Sequence, residues 1–299
     1  MKFKKYNTIK VEERRAVNKV MKSGILSNFF ANKNKNFLGG KYVLKFEKEC
    51  QKYFKVNHAI TVNSWTSGLI AIIGSLDVRP GDEIILSPWT MSACSSAILH
   101  WGCIPIFADI NEKTFNIDPN KIRSKITNKT KAIMGIDLFG QPCDMLELKK
   151  ICNKHNLKFI CDSAQSIGAK YKNNYSSTYA DVGGYSLNFH KHINTGEGGI
   201  IITNNKKIAH KCRLIRNHAE VTVGKSNSRE LVNMIGYNFR LTEIQAAIGI
   251  EQLKKLKKII KKKIEIANYL SKNLSKLPGL EIPYLKKNRT HVYYSYPMK

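Results

Sequence analysis

From residue 58 onward, the apolar positions of the chain switch repeatedly between two spacings. Short apolar runs of strand length are followed by longer stretches with apolar residues three and four apart. The pattern predicts strand His58–Val62, helix Thr66–Leu76, strand Glu83–Ser87 and helix Thr90–Trp101. Strand Ile104–Ala108, helix Pro119–Ile126, strand Ala132–Ile136, helix Met145–His155 and strand Lys158–Cys161 continue it. Ahead of this run, residues 11–23 and 42–55 read as amphipathic helices, the second carrying Val43, Phe46, Cys50 and Phe54 on one stripe. Between them GILSNFFANKNKNFLGG is a polar loop long enough to lie over a site. Regular alternation of this kind predicts a mostly parallel sheet with helices on both faces. Ligands bind such sheets beyond the carboxyl ends of the strands.

The stretch from Gly183 to Thr203 breaks the rhythm. Two apolar flanks, Tyr185–Leu187 and Ile200–Ile202, enclose a polar loop with a single lysine, Lys191, between His190 and His192. Burying an ammonium group costs free energy unless chemistry or a partner offsets it. A lysine placed there reads either as a solvated loop residue or as a nucleophile that condenses with an aldehyde cofactor.

Other candidate residues also fall at strand ends. After Val62, the run Asn63-Ser64-Trp65-Thr66 opens a helix, whose free N–H groups make either a phosphate seat or an ordinary capped turn. After Cys161 come Asp162 and, three residues on, Gln165. An acid there can hold a protonated pyridine nitrogen, and the amide can meet a ring hydroxyl; the alternative is another helix cap. Ser186 lies five residues before Lys191 and can add a phosphate hydrogen bond.

Composition narrows the classes. The 299 residues, 42% of them hydrophobic, suffice for a large α/β domain and a small second one. No apolar run reaches the roughly 20 residues of a membrane span, and MKFKKYNTIKVEERR lacks the apolar centre of a signal peptide. The 7 cysteines are scattered without a CxxC pair, which suits reduced thiols in a cytoplasmic protein and no metal site. The net charge of +28 invites a nucleic-acid partner. The lysines are spread along the whole chain, however, and the densest run, KKLKKIIKKK, has Leu256, Ile259 and Ile260 at helical spacing. It reads as the wet face of an amphipathic helix, so neither nucleic acid nor membrane is expected as a partner. The GxGxxG, GxxxxGK[ST] and GxSxG signatures are missing.

The segments NSWTSGL, GDEIILSPWT, PIFADINEKTFNIDP, LFGQPCDM, CDSAQSIGA, YSLNFHKHINTGEGG and GYNFRLTEIQAAIG occur in that order. In order and spacing they resemble the DegT/DnrJ/EryC1/StrS aminotransferases, from about Gly24 to the end of the chain. The resemblance implies the type I fold of pyridoxal 5'-phosphate enzymes and transfer of an amino group, mostly from glutamate, to a nucleotide-linked keto-sugar. Among site residues, Lys191 would carry the cofactor and shuttle the proton, and Asp162 would pair with the pyridine nitrogen. Gln165 would contact the phenolic oxygen, while the Trp65 and Thr66 amides and the Ser186 hydroxyl would hold the phosphate. Asn238 would reach the phosphate of a neighbouring subunit in a homodimer.

Two departures from the family accompany the likeness. Met91 stands where an aromatic residue usually stacks on the cofactor ring, with Trp89 close by. Family chains also usually continue past HVYYSYPMK. The expected division is therefore a cofactor-binding domain over residues 1–240 and an incomplete small domain over 241–299. A dehydratase branch has histidine in place of the lysine, but the spacing from Ser186 puts Lys191 at that position. A non-catalytic regulator that keeps the cofactor pocket is the remaining alternative.

Overall fold

The computed structural model describes residues 7–31, 34–219 and 234–299. Its strands are β1 (His58–Val62), β2 (Glu83–Leu86), β3 (Ile104–Phe107), β4 (Thr130–Ile136) and β5 (Lys158–Asp162), then the short hairpin β6 (Lys170–Tyr171) and β7 (Asn174–Tyr175), then β8 (Val182–Ser186) and β9 (Gly199–Thr203). All but the hairpin join one sheet in the order β1-β9-β8-β5-β4-β2-β3. From β3 through β8 the neighbours are parallel, as the alternation predicts. β9 runs against both β8 and β1. The Lys191 loop therefore leaves the sheet at the end of β8 and re-enters it on the adjacent strand.

The helices are α1 (Val11–Ser23), α2 (Lys41–Phe54), α3 (Trp65–Gly74), α4 (Ala93–Leu99), α5 (Pro119–Ile122), α6 (Met145–Lys154), α7 (Lys206–Arg216) and α8 (Glu243–Leu274). Strand side chains alternate between two cores, as a sheet covered on both faces requires. Ile60, Ile84, Met134, Ile160 and Ile201 face the core shared with α3, α4 and α7. Ile200 and Ile202 face α2 and α8, while Ile133, Phe159 and Cys161 face α6. The sequence pattern left α7 unassigned, although Ile208, Cys212 and Ile215 fall on one helical stripe.

Helix α4 begins three residues later than the apolar spacing suggests. Pro88 and the bond from Thr90 N–H to the Pro88 carbonyl (3.1 Å) make a turn there, so Met91 sits before the helix. Helix α8 opens with a capping box, Thr242 and Gln245 bonding reciprocally to each other's backbone N–H, and extends about 48 Å at the usual rise. Its first half, through Ala246, Ile250 and Leu253, shares a core with α2.

A buried ion pair fastens the long loop before α2. Arg216, fully buried at the end of α7, bonds Glu47 Oε1 at 2.6 Å and the Leu38 carbonyl at 3.2 Å. Asn217 Nδ2 donates to the Phe30 and Phe37 carbonyls at 2.9 and 3.1 Å. The loop is held against the end of α7, where its Phe30, Phe37 and Leu38 carbonyls find their donors.

Candidate active site

The carboxyl ends of β1, β5 and β8 surround a cavity of about 220 Å³. Ser64, Trp65, Thr66, Met91, Asp162, Gln165, Ser186 and Lys191 all line it. Of the cofactor residues expected from the resemblance, only Asn238 lies elsewhere. Its Oδ1 accepts from Arg240 Nε at 2.8 Å, and its backbone carbonyl accepts from Asn63 Nδ2. Trp89 is also turned away and leans on Phe115, with ring centroids 6.1 Å apart.

At the end of β1 both readings of the helix start hold together. The Ser64 hydroxyl caps α3 by accepting from Ser67 N–H at 3.1 Å. The N–H groups of Trp65 and Thr66, in the first turn, have no helical acceptor and point out with the positive end of the helix dipole. The Ser186 hydroxyl, buried at the end of β8, stands on the same cavity. Three hydrogen-bond donors around a helix start suit a phosphate.

Asp162 is the acid of the site, and it does not cap a helix. The chain after it folds into turns, with Asp162 Oδ1 accepting from Ala164 N–H at 2.9 Å. Trp65 Nε1 donates to the same oxygen at 2.8 Å and Cys94 Sγ to Oδ2 at 3.1 Å. Burial pushes the Asp162 carboxyl above the usual carboxylate range, while these donors and the Lys191 charge pull it back. Gln165 Oε1 accepts from Phe139 N–H at 2.7 Å, which orients the amide and leaves Nε2 as its donor towards the cavity.

Lys191 is half-buried, and its ammonium sits below the usual lysine range because of that burial, with Asp162 opposing the shift. Histidine cations contribute nothing to this. Partial burial lowers the His190 imidazole from its usual range, and full burial pushes His192 down to about 3. His192 points away from the cavity and donates Nε2–H to the Val292 carbonyl at 2.8 Å.

Sequence reading missed Tyr294 and Cys94. Cys94 lies four residues after Thr90, and the two side chains are 3.4 Å apart. Tyr294 comes from the far end of the chain, and no local signal marks it. Among the described residues no cluster of histidine, cysteine, aspartate or glutamate could hold a metal ion.

A half-buried lysine, a buried acid and a helix N-terminus around one cavity of a mostly parallel sheet fit a pyridoxal-phosphate-dependent transferase of the type I fold. Residues 7–299 match the model of the DegT/DnrJ/EryC1/StrS aminotransferase family, and the chain belongs to that family. It is 36% identical over 239 residues to a GDP-perosamine synthase of Vibrio cholerae, a match spanning 80% of this chain and 64% of that one. Among solved structures it resembles Helicobacter pylori PseC, an aminotransferase of pseudoaminic acid biosynthesis. The TM-score is 0.86 at 30% identity, covering 97% of this chain and 75% of that one. The structure of NtdA from Bacillus subtilis with bound cofactor PMP gives a TM-score of 0.83 at 31% identity, over 97% of this chain and 64% of that one. The chain is thus a pyridoxal-phosphate-dependent aminotransferase.

Proposed function

We propose that the protein transfers an amino group from glutamate to a keto-sugar carried on a nucleotide, for amino-sugar and polysaccharide biosynthesis in the cytoplasm. The observation that carries this reading is that Lys191, Asp162 and the first turn of α3 line one cavity. When bound there, pyridoxal 5'-phosphate supplies a pyridine ring that withdraws electrons from the amine-bearing carbon. The chain's residues do the rest. Trp65 and Thr66 N–H and the Ser186 hydroxyl hold the phosphate, and Gln165 Nε2 donates to the phenolic oxygen. Asp162 keeps the pyridine nitrogen protonated, and Met91 lies on the cavity as the cover for the ring. Lys191, whose charged form burial disfavours, would attach the cofactor and then move the proton.

The working unit in this proposal is a homodimer, with a cofactor-binding domain over residues 1–240 and the start of a smaller one over 241–299. Exposed apolar side chains at Ile25, Leu26 and Phe30 in the loop before α2, and at Phe189 in the Lys191 loop, support a second copy covering them. So does Asn238, which does not reach the cavity of its own chain. A dehydratase is disfavoured because Lys191, five residues after Ser186, brings its amine to the cavity; His190 also lines it, while His192 is committed to Val292.

Borohydride reduction of the cofactor-loaded protein, followed by peptide mapping, tests the lysine. The label should fall on the Lys191 peptide and vanish in Lys191→Ala; a label on another lysine would overturn the assignment. A panel of nucleotide-linked keto-sugars with glutamate, read by mass spectrometry, tests the substrate class. Amination of free keto-sugars alone would sink it.

A further inference from the structure

Asp162 is held by more donors than a carboxylate needs merely to be buried. It is 4% exposed and ends β5. Each carboxylate oxygen offers about two acceptor positions. Oδ1 uses both, on Trp65 Nε1–H (2.8 Å) and Ala164 N–H (2.9 Å). Oδ2 uses one, on the Cys94 thiol (3.1 Å). One acceptor position therefore remains, and it is on Oδ2.

The donors are of a particular kind. An indole N–H can only donate, so it favours the ionised carboxylate, whose oxygens accept more strongly than those of the protonated acid. Burial, and then the Asp162 charge, push the Cys94 thiol well up, so it too stays protonated and donates. The fold also makes room for the indole. A Cβ on Gly184 would lie 2.5 Å from Trp65 Cζ3, and one on Gly68 would lie 2.9 Å from Cε3. Trp65 is at the same time the first residue of α3, the helix whose start we assign to the phosphate. One residue thus joins the two ends of the cofactor seat.

We propose that Trp65 and Cys94 are positioning residues that hold Asp162 as an anion, with Oδ2 alone presented to the cofactor's pyridine nitrogen. The proposal rests on the reading of Asp162 as partner of that nitrogen. Without the Trp65 donor the carboxylate becomes more basic and draws the shared proton towards itself, so the ring withdraws electrons less. Without the Cys94 donor the same happens at the oxygen that makes the contact.

The test uses holoenzyme loaded with cofactor carrying 15N in the ring, in five forms: wild type, Asp162→Asn, Trp65→Phe, Cys94→Ala and Cys94→Ser. Phenylalanine fills most of the space between Gly68 and Gly184 without donating, and serine restores a donor. The ring-nitrogen shift reports protonation without turnover. In Trp65→Phe and Cys94→Ala it should move part of the way towards the value in Asp162→Asn. The acid limb of the pH–rate profile should rise by about one pH unit, and kcat should fall about tenfold at nearly constant KM, as expected for one hydrogen bond to a charged group. Cys94→Ser should stay near wild type. If Asp162→Asn leaves the nitrogen shift unchanged, the reading of Asp162 itself fails. If Asp162→Asn moves the shift but Trp65→Phe and Cys94→Ala leave both shift and acid limb at wild type, the proposal alone fails, whatever their stability. Should Trp65→Phe not fold, the Cys94 pair decides by the same readings.

Discussion

The ammonium nitrogen of Lys191 stands 4.3 Å from the centre of the Tyr294 ring. The two residues are far apart in sequence, and a short chain of contacts brings them together. His192 Nε2 donates to the Val292 carbonyl at 2.8 Å, while Val292 N–H donates to the Gly140 carbonyl at 2.9 Å. Gly140 has φ +108°, and a Cβ there would lie 2.9 Å from the backbone nitrogens of Tyr293 and Tyr294. Phe139, bonded to Gln165, accepts from Ser295 N–H at 3.4 Å. The segment that carries Tyr294 is thus docked on the same loop that orients Gln165.

A partly buried cation over an aromatic face gains about 1–2 kcal/mol. The ring therefore favours the charged lysine, and Tyr294→Ala should move the lysine limb of the kcat/KM–pH profile down by about one pH unit, whereas Tyr294→Phe, which keeps the ring, should leave it near wild type. Steady-state kinetics against pH on the two variants separates these outcomes. Equal shifts in both would place the effect in the hydroxyl and not in the ring face.

Gly184 sits where β8, β9 and the Trp65 ring meet. A Cβ there would lie 2.0 Å from the Ile200 carbonyl oxygen, which is backbone and cannot rotate away. Gly184→Ala should cost about 3 kcal/mol, at the upper end for overpacking. It should weaken cofactor binding at the same time by displacing Trp65. Urea unfolding of the apo protein measures the first effect and absorbance titration with cofactor the second; a variant of wild-type stability would refute the packing.

Stability should fall in mild acid. Burial holds His291 down at about 4 and His192 at about 3, the latter helped by the nearby Lys263 charge. The unfolded chain takes up protons on these residues at the ordinary value of about 6.5, so below that pH it binds more protons than the folded chain. The stability contributed by neutral burial is complete above pH 6.5. It is lost as pH falls towards about 4 for His291 and about 3 for His192. The expected slope is about 1.4 kcal/mol per pH unit for each histidine. Urea midpoints between pH 6 and 4.5 should show it, and His192→Gln should remove about half of it.

Asn238 is exposed and bonded to Arg240, away from the cavity of its own chain. If it completes the phosphate seat of a second copy, Asn238→Ala should be severely impaired. Mixed dimers of Lys191→Ala and Asn238→Ala subunits should then recover part of the activity, because one site in each keeps both residues. Tagged co-purification establishes that the subunits have exchanged. Confirmed mixed dimers without activity would mean that Asn238 acts within its own chain or not on the cofactor.

The alternation of strands and helices was legible in the chain itself, because the central strands β1, β2, β4, β5, β8 and β9 are buried on both faces and helices such as α2 and α6 on one stripe. Ile133, Ile160 and Ile201 are legible as core from spacing alone. The sequence also determined that Lys191, Asp162, Trp65 and Thr66 fall at strand ends, which in a parallel sheet lie on one side. Only the tertiary structure decided that β9 runs backwards beside β8, because a run such as Gly199–Thr203 carries no sign of its partner's direction. It alone placed the Trp65 indole and the Cys94 thiol on Asp162, residues 97 and 68 positions apart from it. It alone brought Tyr294 over Lys191. Those contacts join side chains distant in sequence, and periodicity records which face of an element is buried, not which residue it meets there.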